Sequence, residues 1–145
     1  MRFLLANNGV TGIWDEIRIF FCSTSHTKYS LFSSPILLTW INSNSTKNHI
    51  YTEFHVDQLT NVESTAFHYT AVIYLDNESQ EFHGGHLEFE GGFQIKPRRG
   101  LAVIFTSGEE NVHRVTPVVK GVRRALTIFL TCDKAYSVMN SKLYQ

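Results

Sequence analysis

From Pro35 onward the chain is a succession of short β-branched and aromatic runs, each closed by a cluster of turn residues. That texture limits the fold more than anything else in the sequence. Strands are predicted near 36–41, 51–57, 67–75, 86–90, 93–96, 101–106, 112–116 and 123–131. Gly, Pro, Asn, Asp and Ser gather between them, over 42–48, 76–85, 91–92, 97–100, 108–111 and 117–121. No helical pattern intervenes, so βαβ crossovers are not expected. About eight short strands in a row predict a mostly β sandwich or barrel, the jelly roll (double-stranded β-helix) among them. Upstream, Ile13, Trp14, Ile17, Phe20 and Phe21 fall at helical spacing. They predict a helix over 12–22 packed on one sheet, with a strand over 17–23 as the alternative. A length of 145 residues argues for one domain. Its parts are a helical and loop support over 1–34, the β domain over 35–133 and a tail over 134–145.

Alternation assigns faces, because successive side chains on a strand point to opposite sides. On the last strand Arg123, Ala125, Thr127 and Phe129 share one face. Arg124, Leu126, Ile128 and Leu130 share the other, which is mostly apolar and suits packing under a helix. On 67–75, His68, Thr70, Val72 and Tyr74 form the set with polar tips. Tyr69, Ala71, Ile73 and Leu75 form the more apolar set.

His55-Val56-Asp57 places an imidazole and a carboxylate two residues apart. On an extended segment both reach the same side, so one segment can offer both to one ion. A third ligand must come from elsewhere, and His113 is well placed for it. Two histidines and one carboxylate on one side of a ferrous ion leave the other side open, as in the facial triad of non-haem Fe(II) oxygenases. His-x-Asp alone is a weak signal; its context strengthens it.

That context is Tyr69–Leu75, then Gly84-Gly85-His86-Leu87-Glu88-Phe89, Ile95–Phe105 and His113, with Arg123 ten residues later. The order resembles the prolyl 4-hydroxylase-like branch of the 2-oxoglutarate- and Fe(II)-dependent dioxygenases, over roughly 35–133. Ile41-Asn42-Ser43, Phe105–Gly108 and Glu110–Val115 resemble more closely the 2-oxoglutarate and iron-dependent oxygenase domain-containing subfamily. The resemblance implies a jelly roll whose iron ligands are His55, Asp57 and His113. Arg123 would then hold the far carboxylate of 2-oxoglutarate, which a planar guanidinium can bond through two parallel N–H groups. Tyr74 and Thr127 match positions that contact the cosubstrate in relatives. The implied reaction is hydroxylation of a C–H bond, with 2-oxoglutarate and O2 giving succinate and CO2. Also implied are L-ascorbate as reductant and a peptidyl substrate of the prolyl type. Only about 35 residues precede the first jelly-roll strand, fewer than the helical support of relatives, so a short form or a fragment is expected.

Two other readings fit part of the pattern. One is a jelly-roll binding module without turnover; the other is a cupin-like metalloenzyme that uses no 2-oxoglutarate. The intact triad argues against the first, and an Arg with no role against the second. His83 and His86 flank Gly84-Gly85 and read more readily as a solvated loop than as a second metal site. Thirteen basic and thirteen acidic residues cancel, so net charge points to no nucleic-acid partner. No apolar run approaches the ~18 residues of a membrane span. Cys22 and Cys132 read as two free thiols rather than a bridge. Met1–Ala6 begins like a signal peptide but polar Asn7-Asn8-Gly9 cuts it short. A cytoplasmic and a secretory-lumen location both fit.

Overall fold

The structure, a computed structural model, describes residues 3–6, 32–43, 49–58 and 67–132. These residues form nine strands: β1 (Phe3–Ala6), β2 (Phe32–Asn42), β3 (Tyr69–Tyr74), β4 (Phe82–Gly84), β5 (Leu87–Phe89), β6 (Gln94–Ile95), β7 (Ala102–Thr106), β8 (His113–Val115) and β9 (Val118–Thr131). A one-turn helix, α1 (His49–Thr52), and a 3-10 turn (Glu109–Asn111) complete the described elements. The larger sheet runs β1-β7-β3-β9-β2, with β4 also pairing β9; the smaller runs β6-β5-β8. Every pairing is antiparallel. Two antiparallel sheets face to face are the expected jelly roll.

The facing sides make the core. Val72 and Tyr74 of β3, Val103 and Phe105 of β7 and Ala125 of β9 meet Leu87 and Phe89 of β5 and Ile95 of β6. Each large side chain buried there contributes about 1.5–3 kcal/mol. The opposite face of the larger sheet carries Ala71, Ile73, Ala102, Ile104, Ile128 and Leu130, all buried. The two faces on β3 and β9 are those alternation predicts. β3 is paired on both edges, by β7 and β9, and buried on both faces, which Thr-Ala-Val-Ile-Tyr fills.

One strand expectation and two turn expectations need correction. The segment 51–57 is not a strand: α1 takes its start, and only His55 pairs, through a single bridge to His113. β8 is three residues long and its other edge is taken by β5, so little edge remains for a longer ladder. The expected turn over 117–121 is strand for most of its length, because Val118, Lys120 and Gly121 pair with β4. β4 itself falls inside the expected turn over 76–85, since its pairing is tertiary and leaves no periodic signal in three residues. The predicted helix over 12–22 and Cys22 lie outside the described residues; Cys132 is a free thiol. No helix among the described residues is long and apolar enough to cross a membrane.

The turn before β4 is tied by carboxylates. Glu78 pairs with Lys96 Nζ at 2.7 Å and accepts bonds from Ser79 Oγ and the Gly84 N–H. The Lys96 ammonium, then the Ser79 hydroxyl, hold its carboxyl at about 2, against an ordinary 4.5. Asp76, fully buried, is likewise held below its ordinary value by Arg124. A folded-state pKa below the unfolded one gives stability that is complete above the unfolded value and drains away as pH falls through the folded one. For Glu78 that window runs from 4.5 down to about 2. The melting temperature is expected to decline across it, and Glu78→Gln to make the decline shallower. Equal slopes for the two proteins would assign the acid sensitivity to other groups.

Candidate metal centre

His113 opens β8, and its backbone exchanges two hydrogen bonds of 2.9 Å with that of His55. The bridge sets the two imidazoles side by side, with ring centroids 4.6 Å apart. The chain then bends, and the Gln58 N–H bonds the Ser107 carbonyl at 3.0 Å, which brings Asp57 over the end of β7. His55 Nε2 lies 3.7 Å from Asp57 Oδ1, and His113 Nε2 lies 3.5 Å from Asp57 Oδ2. One ligand atom from each of the three residues falls within 4.8 Å of the others.

The other ring nitrogens fix the tautomers. His55 Nδ1 bonds the Glu53 carbonyl at 2.9 Å, and His113 Nδ1 bonds the Asn111 carbonyl at 2.8 Å. A carbonyl only accepts, so both Nδ1 atoms carry a proton, and in the neutral form of each ring the Nε2 lone pair faces Asp57. Burial lowers the His113 pKa below its ordinary value, opposed by the Asp57 carboxylate. A neutral imidazole with its free nitrogen aimed inward is the form a metal ligand needs. His113 is held there by aromatic packing, with Phe105 at 4.8 Å and Phe89 at 5.8 Å between ring centroids.

A cavity opens from this cluster, lined also by Thr70, Arg123 and Thr127, with Leu37, Tyr51 and Phe129 among its apolar walls. Arg123 is buried, and burial pulls its guanidinium below the usual range, opposed by the Tyr74 phenol. Among the described residues no carboxylate pairs with it; its Nε donates to the Gly85 carbonyl at 2.9 Å. Thr127 stands on the same face of β9 and lines the cavity. Tyr74 is placed differently from Thr127. It is buried beside Arg123, whose Cζ is 5.2 Å from the Tyr74 ring centre, and it does not line the cavity. Its hydroxyl is buried, and the Arg123 guanidinium is the charged group that bears on it.

Gly85 shapes the Arg123 channel. Its φ is +64°, and a Cβ there would stand 2.8 Å from Arg123 Cδ and 3.0 Å from Val118 Cγ2. Gly85→Ala is expected to destabilise the fold by about 1–2 kcal/mol through the left-handed backbone. It should also displace the Arg123 stem and weaken the binding of a carboxylate anion to this guanidinium about tenfold or more, since ~1.4 kcal/mol is tenfold. Thermal melting and a carboxylate titration read the two effects separately. Unchanged carboxylate affinity would separate Gly85 from the placement of Arg123.

Other candidates fall outside the cavity. Arg124 points to the opposite face and grips Asp76, with Nε at 2.9 Å from Oδ2 and Nη2 at 2.6 Å from Oδ1. His83 Nδ1 and His86 Nε2 approach Glu78 Oε1 at 3.8 and 3.9 Å, and Lys96 pairs with the other oxygen of the same carboxylate at 2.7 Å. The sequence reading passed over Ser107 and assigned no role to Thr70. Both are buried and hydrogen-bonded to each other at 2.9 Å, and Thr70 donates to Asp57. Thr70 lies on the inward set of its strand, which was the available signal; Ser107 has no periodic signal, since it follows the end of β7.

A profile of the 2OG-Fe(II) oxygenase superfamily matches residues 41–131. The 2-oxoglutarate and iron-dependent oxygenase domain-containing protein 3 of Xenopus tropicalis is 37% identical over 111 residues, covering 73% of this chain and 34% of that protein. Prolyl 3-hydroxylase 1 of Gallus gallus is 36% identical over 75 residues, covering 48% of this chain and 10% of that protein. A solved structure of a truncated viral collagen prolyl hydroxylase from Paramecium Bursaria Chlorella virus-1 superposes with a TM-score of 0.65 at 18% identity. It covers 83% of this chain and 67% of that one. The chain spans about a third of the length of the first curated relatives it matches. At 18% identity the structural likeness speaks for the fold alone.

Proposed function

From the premise that the chain belongs to the 2OG-Fe(II) oxygenase superfamily, we propose that it is the catalytic domain of an Fe(II)- and 2-oxoglutarate-dependent dioxygenase. Its reaction is hydroxylation of a C–H bond in a peptidyl, prolyl-type substrate, with release of succinate and CO2 and with ascorbate as reductant. The observation that carries this reading is the convergence of His55, Asp57 and His113 at the foot of a cavity whose wall holds a buried Arg123. The donor set fits ferrous iron. Two neutral imidazole nitrogens and a carboxylate suit it, and their clustering on one side leaves room for further ligands. Bound with 2-oxoglutarate and O2, ferrous iron supplies oxidative decarboxylation of the keto acid coupled to oxygen insertion into the C–H bond.

The chain's own residues bind, orient and keep water out. His55, Asp57 and His113 hold the ion. The Arg123 guanidinium, short of an anion, receives the distal carboxylate of the cosubstrate. Thr127 offers a hydroxyl on the same wall, and Tyr74 a phenol beside the guanidinium. Apolar Val72, Leu87 and Val115, buried in the cavity lining, limit water around the reacting groups, which strengthens each polar contact inside. The prolyl-type substrate rests on the names of relatives, a prolyl 3-hydroxylase and a collagen prolyl hydroxylase.

The test is anaerobic titration with Fe(II), with and without 2-oxoglutarate. A visible charge-transfer band that needs both components supports the reading. Metal binding without a 2-oxoglutarate response favours a cupin-like site. No metal binding favours a binding module. Succinate release on addition of proline-containing peptides, with one oxygen atom gained by the peptide, tests the substrate class.

A further inference from the structure

Thr70 Oγ1 donates to Asp57 Oδ2 at 2.7 Å, and Thr70 Oγ1 and Ser107 Oγ lie 2.9 Å apart. Proton counting orders this chain. An ionised carboxylate only accepts, so the single hydroxyl proton of Thr70 is committed to Asp57. Ser107 must therefore donate to Thr70. Both hydroxyls are buried, at 0% and 1% exposure, so water does not compete for either bond. Thr70 comes from the middle strand of the larger sheet and Ser107 from just past β7, which pairs with it. The relay is thus anchored to a strand paired on both edges, while among the described residues the backbone beside Asp57 bonds to the rest of the fold through the His55–His113 bridge and the Gln58 N–H.

We propose that Thr70, backed by Ser107, is a positioning residue that holds the Asp57 carboxylate to one metal-binding oxygen. Tying Oδ2 fixes the rotation of the carboxylate and leaves Oδ1 as the free donor. A carboxylate that swung to bind through both oxygens would take one of the positions that 2-oxoglutarate and O2 need. The inference deepens the reading of the site as an iron centre and rests on it. Val has nearly the shape of Thr without the hydroxyl, so Thr70→Val removes the bond to Asp57 and, with it, the acceptor of the buried Ser107 hydroxyl. Thr70→Ser keeps the hydroxyl and loses only a methyl group.

The experiment measures Co(II) and anaerobic Fe(II) affinity by calorimetry, Co(II) absorption in the visible, and melting of the metal-free proteins. Thr70→Val is expected to weaken metal binding on the order of 10–100-fold, the usual effect of losing an outer hydrogen bond to a metal ligand. The Co(II) spectrum should change with it, as the carboxylate changes its mode. Thr70→Ser should restore affinity and spectrum, and Ser107→Ala should fall between. Wild-type affinity and spectrum in Thr70→Val would overturn the proposal. So would a Thr70→Ser protein as weak as Thr70→Val, because the hydroxyl would then not be the cause. If Thr70→Val fails to fold, the Ser107→Ala and Thr70→Ser proteins decide by the same two readouts. A wild-type chain that binds neither metal overturns the iron reading itself, an outcome visible before any variant is compared.

Discussion

Asp57→Asn is expected to lower Fe(II) affinity by more than about 100-fold and to take 2-oxoglutarate-dependent succinate release below detection. The substitution keeps the shape of the side chain and removes its charge. A unit charge about 4 Å from another contributes on the order of 4 kcal/mol at the dielectric of a partly buried site, and a divalent ion doubles that before desolvation is counted. Even a small remainder exceeds the 10–100-fold typical of residues that only support a ligand. The metal-free protein should melt close to the wild type. Its core is built by Val72, Tyr74, Leu87, Phe89 and Phe105, none of which needs an ion. That separates this site from a structural zinc site, where the fold is lost with the metal. Calorimetric titration with Fe(II) and a thermal melt, both without oxygen, are the measurements. Retention of wild-type affinity by Asp57→Asn would remove the carboxylate from the site. A collapse of the metal-free melt would assign it a structural task instead.

What the sequence disclosed and what it withheld follow a physical line. His55, Asp57, His113 and Arg123 could be singled out because their side chains are chemically particular and their order along the chain is informative. The structure brings the first three within 4.8 Å and sets the fourth on the cavity wall. The inward face of β9 was readable from alternation, because a slip of one residue would turn buried Arg123 and Ala125 to the opposite face. The route by which His55 and Asp57 meet was not readable. They do not lie on a regular strand; a bridge to His113 and a bend bring them together, and they depend on residues 58 and 49 positions away. β4 escaped for the same reason, since three residues hold their shape only against β9. The Ser107–Thr70–Asp57 relay joins hydroxyls 37 residues apart, and hydroxyl residues are too common for such a pairing to stand out in a linear string.

Arg123→Leu is expected to abolish use of 2-oxoglutarate while leaving Fe(II) affinity nearly unchanged. Arg123 and Thr127 share one face of β9, about 13 Å apart along the strand at ~3.3 Å per residue. The guanidinium is 3% exposed and lacks a carboxylate partner among the described residues. A buried cation without its anion is costly by itself, so removing it should leave the metal-free fold as stable as before or more so. The loss is therefore not expected to be one of folding. With 2-oxoglutarate present the balance reverses. Its distal carboxylate would be left against the buried end of the cavity without a charge-assisted pair, at a cost on the order of 3–5 kcal/mol. That corresponds to a few hundred-fold or more in affinity, at ~1.4 kcal/mol for each tenfold step. Arg123→Lys should be milder, because an ammonium restores the charge but not the planar fork. Arg124→Leu is the informative control. Its side chain lies on the opposite face and neutralises the buried Asp76, so the melting temperature should fall while half-saturation by 2-oxoglutarate stays put. Succinate release against cosubstrate concentration, with a thermal melt for each protein, separates the two arginines. A crippled Arg124→Leu with a silent Arg123→Leu would shift the cosubstrate site to the other face of β9, and the reading of the cavity would fall with it.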